Sequence, residues 1–221
     1  LKRMRNLNPD EIFDQVAMLN KQSIEHFDRP LSNIVFMGMG EPMMNYPNVM
    51  KAIAKITSTE GMGMSPRRIT VSTSGIPKMI IKMADEHPRF KLAVSLHSAI
   101  EETRNEIMPF STSFPLTDLQ DSIQYWFSKT KERVTYEYVV WKDINDSAAE
   151  IDALVRFCKK TPSKVNLIEY NPVGNDQFNQ ANDDAINQYV SALKKSHIPV
   201  TTRRSRGKDI DAACGQLANK S

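Results

Sequence analysis

The sequence predicts an α/β fold of parallel strands joined by helical crossovers, and three observations carry that prediction. Short apolar, β-branched runs alternate with helical patterns along all 221 residues, which is the signature of right-handed strand–helix–strand units. No linker, internal repeat or low-complexity tract divides the chain, so one domain is expected over residues 1–221. The polar residues with chemical potential fall at or toward the carboxyl ends of the expected strands. In parallel α/β folds that edge binds ligands, in an open sheet and in a barrel alike. At this level the geometry is either a doubly wound sheet or a barrel, complete or partial.

Each element has a local cause. Asn8-Pro9-Asp10-Glu11 is a helix start: Asn8 caps, Pro9 suits the first turn and Glu11 closes a capping box. Ile12, Val16, Met18, Leu19 and Ile24 then give a helical apolar face to about His26. Asp28-Arg29-Pro30 breaks it, and Asn33 to Met37 reads as the first strand. That strand ends in Gly38-Met39-Gly40-Glu41-Pro42, where a glycine lets a ligand approach the backbone and Glu41 offers a carboxylate to an amine. The alternative is an ordinary strand-to-helix turn. Asn48 to Thr59 is a helix, and Gly61 to Pro66 a loop. Arg68 to Ser72 is the second strand, ending in Ser72-Thr73-Ser74-Gly75. Pro77 opens a helix that His87-Pro88 ends. Phe90 to Ser95 is the third strand, followed by Leu96-His97-Ser98 and a short helix from Glu101 to Ile107.

Met108 to Pro115 is irregular. Leu116 to Lys129 is a helix with Thr117 as its expected cap. Val134 to Trp141 is the fourth strand, near-continuous in β-formers. Ser147 to Lys159 is a helix, Lys164 to Tyr170 the fifth strand, and Val173 to Asn182 a polar loop. Asp183 to Lys195 is a helix, Val200 to Arg204 the sixth strand, and Asp209 to Leu217 a last short helix.

Composition narrows the class. Hydrophobic residues make up 40% and charged residues 25% of the chain, as in globular domains, and no apolar run approaches membrane-spanning length. The net charge of +3 does not by itself imply a nucleic-acid partner. Its distribution says more: Arg203, Arg204, Arg206 and Lys208 cluster near the end, with smaller clusters at Arg67-Arg68 and Lys129-Lys131-Arg133. Guanidinium groups match phosphate oxygens, although a solvated basic face gives the same pattern. The 2 cysteines, Cys158 and Cys214, are no disulfide framework and too few for a thiolate metal site, and fit a reducing cytoplasm. The start, Leu1-Lys2-Arg3-Met4-Arg5, is no signal peptide.

Gly40, Glu41, Ser72, Ser95, His97 and Asn166 supply donors and acceptors on strand ends, suited to a small polar molecule. None forms a nucleophile–base pair at a recognisable spacing. His97 alone reads as a structural hydrogen-bonder before a catalyst. Cys214 has small neighbours and a basic run upstream that favours the thiolate, whereas Cys158, on the apolar side of a helix, reads as inert.

Five motifs occur in order: Gly38-Met39-Gly40-Glu41-Pro42, Ser72-Thr73-Ser74-Gly75, Ser95-Leu96-His97, Asn166-Leu167-Ile168 with Asn171-Pro172, and Asp211-Ala212-Ala213-Cys214-Gly215-Gln216-Leu217. Together they resemble the radical S-adenosylmethionine RNA methyltransferases of the RlmN type, from about Arg5 to Ala218. The resemblance implies a partial (βα) barrel of the radical-SAM type and methylation of C2 of an adenine in 23S rRNA and some tRNA. It implies that Gly40 and Glu41 hold the amino end of S-adenosylmethionine, and that Ser72, Ser95, Leu96, His97 and Asn166 contact the rest. Cys214 would carry the methyl group: one S-adenosylmethionine methylates its sulfur. A second is cleaved reductively, its radical takes hydrogen from that methyl, the carbon radical adds to the ring, and a disulfide to another cysteine then releases the product. A flavodoxin-like donor would supply electrons. This route suits a ring carbon that is not nucleophilic, with the cofactor carrying the hard chemistry.

The family's CxxxCxxC motif, whose thiolates bind a [4Fe–4S] cluster, is absent here, so no metal ligand is expected in this chain. On the resemblance, residues 1–221 form a single radical-SAM core, truncated at its N-terminus just after the first strand and cluster loop, and inactive by itself. The strand at Asn33–Met37 would then be an open edge, with an artefactual dimer through it as a hazard. Two other readings share the motifs: a sister enzyme that methylates C8 of the same adenine, and a cluster-less RNA-binding barrel. An ordinary barrel enzyme for a phosphorylated substrate would use the glycine turns as phosphate nests and give Cys214 no role.

Overall fold

The computed structural model describes residues 5–37, 40–86, 88–171 and 178–203. The chain falls into two compact units. The N-terminal unit comprises the residues up to Thr73 with Pro88–Leu92; the C-terminal unit comprises Ser74–His87 and the residues from Ala93 onward.

The N-terminal unit holds helix α1 (Pro9–Phe27), strand β1 (Ile34–Phe36), helix α2 (Tyr46–Thr57) and strand β2 (Ile69–Thr73). The capping box at Asn8 forms in both halves: Glu11 N donates to Asn8 Oδ1 at 2.9 Å, and Asn8 N donates to a Glu11 carboxylate oxygen at 2.9 Å. Arg5 pairs with that same carboxylate at 2.6 Å and holds it well below the usual range, at about 2. Asp28 ends the helix in the left-handed conformation, at φ 52°.

The expected apolar face of α1 is corrected. No residue of the helix is buried, and Met18, Leu19 and Ile24 are exposed; Ile12 and Val16 are half-buried. The helix is instead tied to α2 through polar groups. Lys55 Nζ reaches Asp10 at 2.9 Å and lies over the Phe13 ring at 4.4 Å. The side chains of Asn45 and Asn48 both donate to Leu7 O. β1 and β2 pair in parallel, Ile34 beside Ile69 and Phe36 beside Val71.

The C-terminal unit holds α3 (Pro77–Asp85), the end of β3 (Lys91–Ser95), α4 (Glu101–Ile107), α5 (Leu116–Thr130), β4 (Val134–Val139), α6 (Ala148–Lys159), β5 (Ser163–Ile168), α7 (Asp183–Lys195) and β6 (Val200–Arg203). β3 through β6 run parallel, each beside the next in chain order. Strand alternation splits the unit's sheet into two faces. Tyr136 and Tyr138 on β4 face the helices: Tyr136 packs edge-on against Phe157, and Tyr138 meets Glu150 and Tyr189. Thr135, Glu137 and Val139 therefore point the other way.

Ser147 and Asn182 cap α6 and α7 through their side chains, as such residues do before a helix. Thr117 does not cap α5, a second correction. The helix starts at Leu116, whose N–H donates to Glu101 on α4 at 2.8 Å, so the cap comes from another helix. Pro42–Asn45, Pro66–Arg68 and Pro109–Ser113, where no helix is expected, are short 3-10 turns, and Arg68, expected to open the second strand, belongs to one of them. The helix expected at 209–217 lies outside the described residues.

Candidate functional site

In the N-terminal unit the expected ligand residues follow the two strands. Gly40 has φ +89°, a left-handed conformation that costs a side chain strain, and a Cβ there would meet nothing within 4 Å. Glu41 accepts from Met43 N at 2.9 Å and so caps the 3-10 turn that opens at Pro42. Ser72 is buried on β2, on the strand face opposite Val71.

In the C-terminal unit Ser95 ends β3 and His97 follows in the left-handed region, at φ 57°. A residue with a Cβ is held there only when its surroundings fix it. Val139 N donates to His97 Nδ1 at 3.1 Å, and Asn145 Nδ2 donates to His97 O at 2.6 Å. The ring meets Trp141 edge-on, 5.5 Å between centroids. Burial, and then the charge of Arg104, push His97 down to about 4. The ring is therefore neutral near pH 7. With Nδ1 accepting, Nε2 carries the hydrogen, so His97 offers a donor and not a general base. Leu96 is fully buried; its N–H donates to Glu137 O at 3.0 Å. Its side chain is packing, and its O accepts from Ser98 N at 2.7 Å, so only the second lone pair of that carbonyl is left for a ligand.

Arg104 is also fully buried. Its Nη2 donates to Ser74 O at 2.7 Å and to Ser95 O at 3.4 Å, bracing two strand-end turns. Burial lowers it to about 10, with Glu101 opposing, which leaves the guanidinium charged at neutral pH.

The register brings together a row of four polar residues. Ser95 lies beside Glu137, Glu137 beside Asn166, and Asn166 beside Thr201. Asn166 Nδ2 donates to Glu137 Oε1 at 2.9 Å, and Thr201 Oγ1 donates to Asn166 Oδ1 at 3.0 Å. Burial raises the Glu137 pKa, opposed by the Asn166 hydrogen bond and the charges of Arg203 and Lys164.

Arg104, Glu137, Asn145 and Thr201 are site residues that sequence reasoning missed. Glu137 had a signal, an acid amid the β-formers Val134-Thr135-Tyr136 and Tyr138-Val139. Asn145 had none, being one polar residue in the loop from Asp143 to Asp146. Cys214, with Arg204, Arg206 and Lys208, lies outside the described residues. Cys158 is buried and its thiol is pushed up to about 12, as expected of an inert cysteine. A shallow cleft beside Leu167, Thr202 and Ile186 contains none of the expected ligand residues. Among the described residues no three His, Cys, Asp or Glu side chains come together to hold a metal ion.

No protein-family model matches the chain. Individual proteins do. A probable dual-specificity RNA methyltransferase RlmN of Christiangramia forsetii is 66% identical over 221 residues, 100% of this chain and 63% of that protein. A protein of the same name from Flavobacterium psychrophilum is 66% identical over 220 residues, 100% of this chain and 63% of that protein. This is an RlmN-type sequence from end to end. The chain spans about 63% of the length of these relatives. A radical SAM methyltransferase from Sphaerobacter thermophilus is 39% identical with a TM-score of 0.93, over 96% of this chain and 62% of that one. The S-adenosylmethionine-bound SuiB of Streptococcus suis, at 16% identity and TM-score 0.66 over 93% of this chain and 46% of that one, shares the fold alone. The fold class expected from the sequence, parallel strands and helices in the partial (βα) barrel of the radical-SAM type, is the one found.

Proposed function

We propose that the protein containing this RlmN-type chain is an S-adenosylmethionine-dependent RNA methyltransferase, with residues 1–221 as one radical-SAM core domain. It methylates C2 of an adenine in 23S rRNA and in tRNA, passing the carbon through Cys214. The observation that carries this reading is the end-to-end identity with proteins named as dual-specificity RNA methyltransferases. Gly40 and Glu41 take the amino end of S-adenosylmethionine. Ser72, Ser95, Leu96, His97 and Asn166 take the rest, Leu96 through its backbone.

The described residues support that assignment with the Glu41 carboxylate and a set of uncharged donors and acceptors. The space beside Gly40, where a Cβ would meet nothing within 4 Å, leaves room at its backbone, and a neutral His97 carries its hydrogen on Nε2, its ring held through the other nitrogen. Such groups fix the orientation of a charged sulfonium nucleotide. One-electron reduction of the sulfonium is the chemistry a [4Fe–4S] cluster supplies, with electrons from a flavodoxin-like donor. The described residues do not fit that cluster, so its thiolates belong elsewhere in the whole protein. No helix among the described residues is long and apolar enough to cross a membrane, and a cytoplasmic site of action suits the RNA substrates.

The test uses the full-length protein, reconstituted without oxygen with iron and sulfide. Mass spectrometry is expected to find a one-carbon adduct on Cys214. Cys214→Ala is expected to abolish methylation of an rRNA transcript while S-adenosylhomocysteine still binds within about twofold of wild type. A C214A protein that still methylates RNA overturns the proposal. A product methylated at C8 would transfer the assignment to the sister activity.

A further inference from the structure

Glu137 has no role in the reading above, yet its carboxylate lies in the polar row with Ser95 and Asn166. Asn166 can seat its amide in two orientations, a half-turn apart, that exchange its donor for its acceptor. Each neighbour bears differently on that choice. Thr201 donates to Oδ1 at 3.0 Å, but a hydroxyl can equally accept, so Thr201 satisfies either orientation. Glu137 Oε1, 2.9 Å from Nδ2, can only accept when ionised. With the amide reversed, Asn166 Oδ1 would face a carboxylate oxygen in a buried setting, two acceptors with no hydrogen between them. Burial raises the Glu137 pKa, and the Asn166 hydrogen bond, Arg203 on β6 and Lys164 on β5 oppose it in favour of the carboxylate.

We propose that Glu137 is a positioning residue: it locks the Asn166 amide in one orientation and so sets which hydrogen-bonding group Asn166 presents to S-adenosylmethionine. The identity of the ligand rests on the proposed function; the locking of the amide does not. A second observation points the same way. Glu137 is 3% exposed, and its other oxygen, Oε2, is buried with no hydrogen-bond partner among the described residues. A buried carboxylate oxygen in that setting costs stability, which favours a role for Glu137 at the site over a role in the fold.

The experiment is calorimetric titration of the full-length protein with S-adenosylhomocysteine, using wild type, E137Q, N166A, the double variant and T201V. Glutamine offers both a donor and an acceptor and frees the amide to turn. E137Q is expected to weaken binding about tenfold, and N166A by a similar factor. In the N166A background E137Q should add less than about twofold, because its route to the ligand has gone. T201V should stay within about twofold of wild type. E137Q binding like wild type, a double variant that multiplies the two losses, or T201V matching E137Q would each overturn the proposal. A wild type that binds no S-adenosylhomocysteine overturns the proposed function and takes the ligand half of this inference with it. A second measurement needs no substitution at Glu137. With nitrogen-15 asparagine, the Asn166 side-chain amide, identified by its loss in N166A, should give one pair of resonances with slowed hydrogen exchange. A fast-exchanging pair overturns the lock.

Discussion

The turn at Gly40–Glu41 follows one strand and the row from Ser95 to Thr201 crosses four, and the two are built by different means. Sequence neighbours make the turn: a glycine takes the positive φ, and Glu41 caps the peptide two residues on. Residues from four strands make the row, and it exists only once those strands are in register. A local turn keeps its shape whenever its few residues are right. A register-built site has its geometry from the whole unit, and packing defects reach it. Damage to each should therefore differ in size and in reach.

The largest effect is expected at Asn145, which joins the His97 loop to β4. It is fully buried: its Nδ2 donates to His97 O and to Val139 O, and its Oδ1 accepts from Trp141 N at 2.7 Å. Tyr189 also donates to its backbone oxygen. Asn145→Ala strands two carbonyls and one N–H in a buried setting, at a cost of about 3 kcal/mol. Urea unfolding measures it as a lower midpoint at unchanged slope. A loss below about 1 kcal/mol would mean that His97 is held by something other than this side chain.

The contrast also explains what could be read from the sequence. The capping box at Asn8 and the helix spans Glu101–Ile107 and Asp183–Lys195 are local, and the structure has them as expected. The cap of α5 was misread because Thr117 is a good local candidate, while the group that does the work, Glu101, arrives from another helix. The apolar face of α1 was misread for the opposite reason. Its periodicity is real, but periodicity alone does not decide what covers a helix. Glu137 and Asn145 act through partners far away in sequence, on residues that only strand pairing or loop closure brings near.

A middle-sized effect is expected from acid, and it comes from the same loop. The folded chain holds His97 at about 4, against an ordinary value of 6.5. Between those two values the unfolded chain binds the proton and the folded one does not, so stability rises with pH across that window. The contribution is complete above about 6.5 and is lost as pH falls toward 4. From pH 7 to pH 5 the loss is about 2 kcal/mol. His97→Gln keeps an acceptor for Val139 N but cannot titrate, so its stability should fall less over that range. Parallel curves for the two proteins would show that the histidine is free to protonate in the fold.

The smallest effect is expected at Gly40, and it isolates what a local turn contributes. A methyl group added there would meet nothing within 4 Å, so crowding adds no penalty. What remains is backbone strain at φ +89°, about 1 kcal/mol for alanine. Asparagine tolerates positive φ better, so Gly40→Asn should cost less than Gly40→Ala. Thermal unfolding of the two variants tests that order. If alanine instead costs as much as Asn145→Ala, the turn is as widely coupled as the His97 loop, and its purely local character fails. If stability follows the expected order while S-adenosylhomocysteine binding falls tenfold in both variants, the open side of Gly40 is where a ligand meets the backbone, because strain alone would separate the two substitutions.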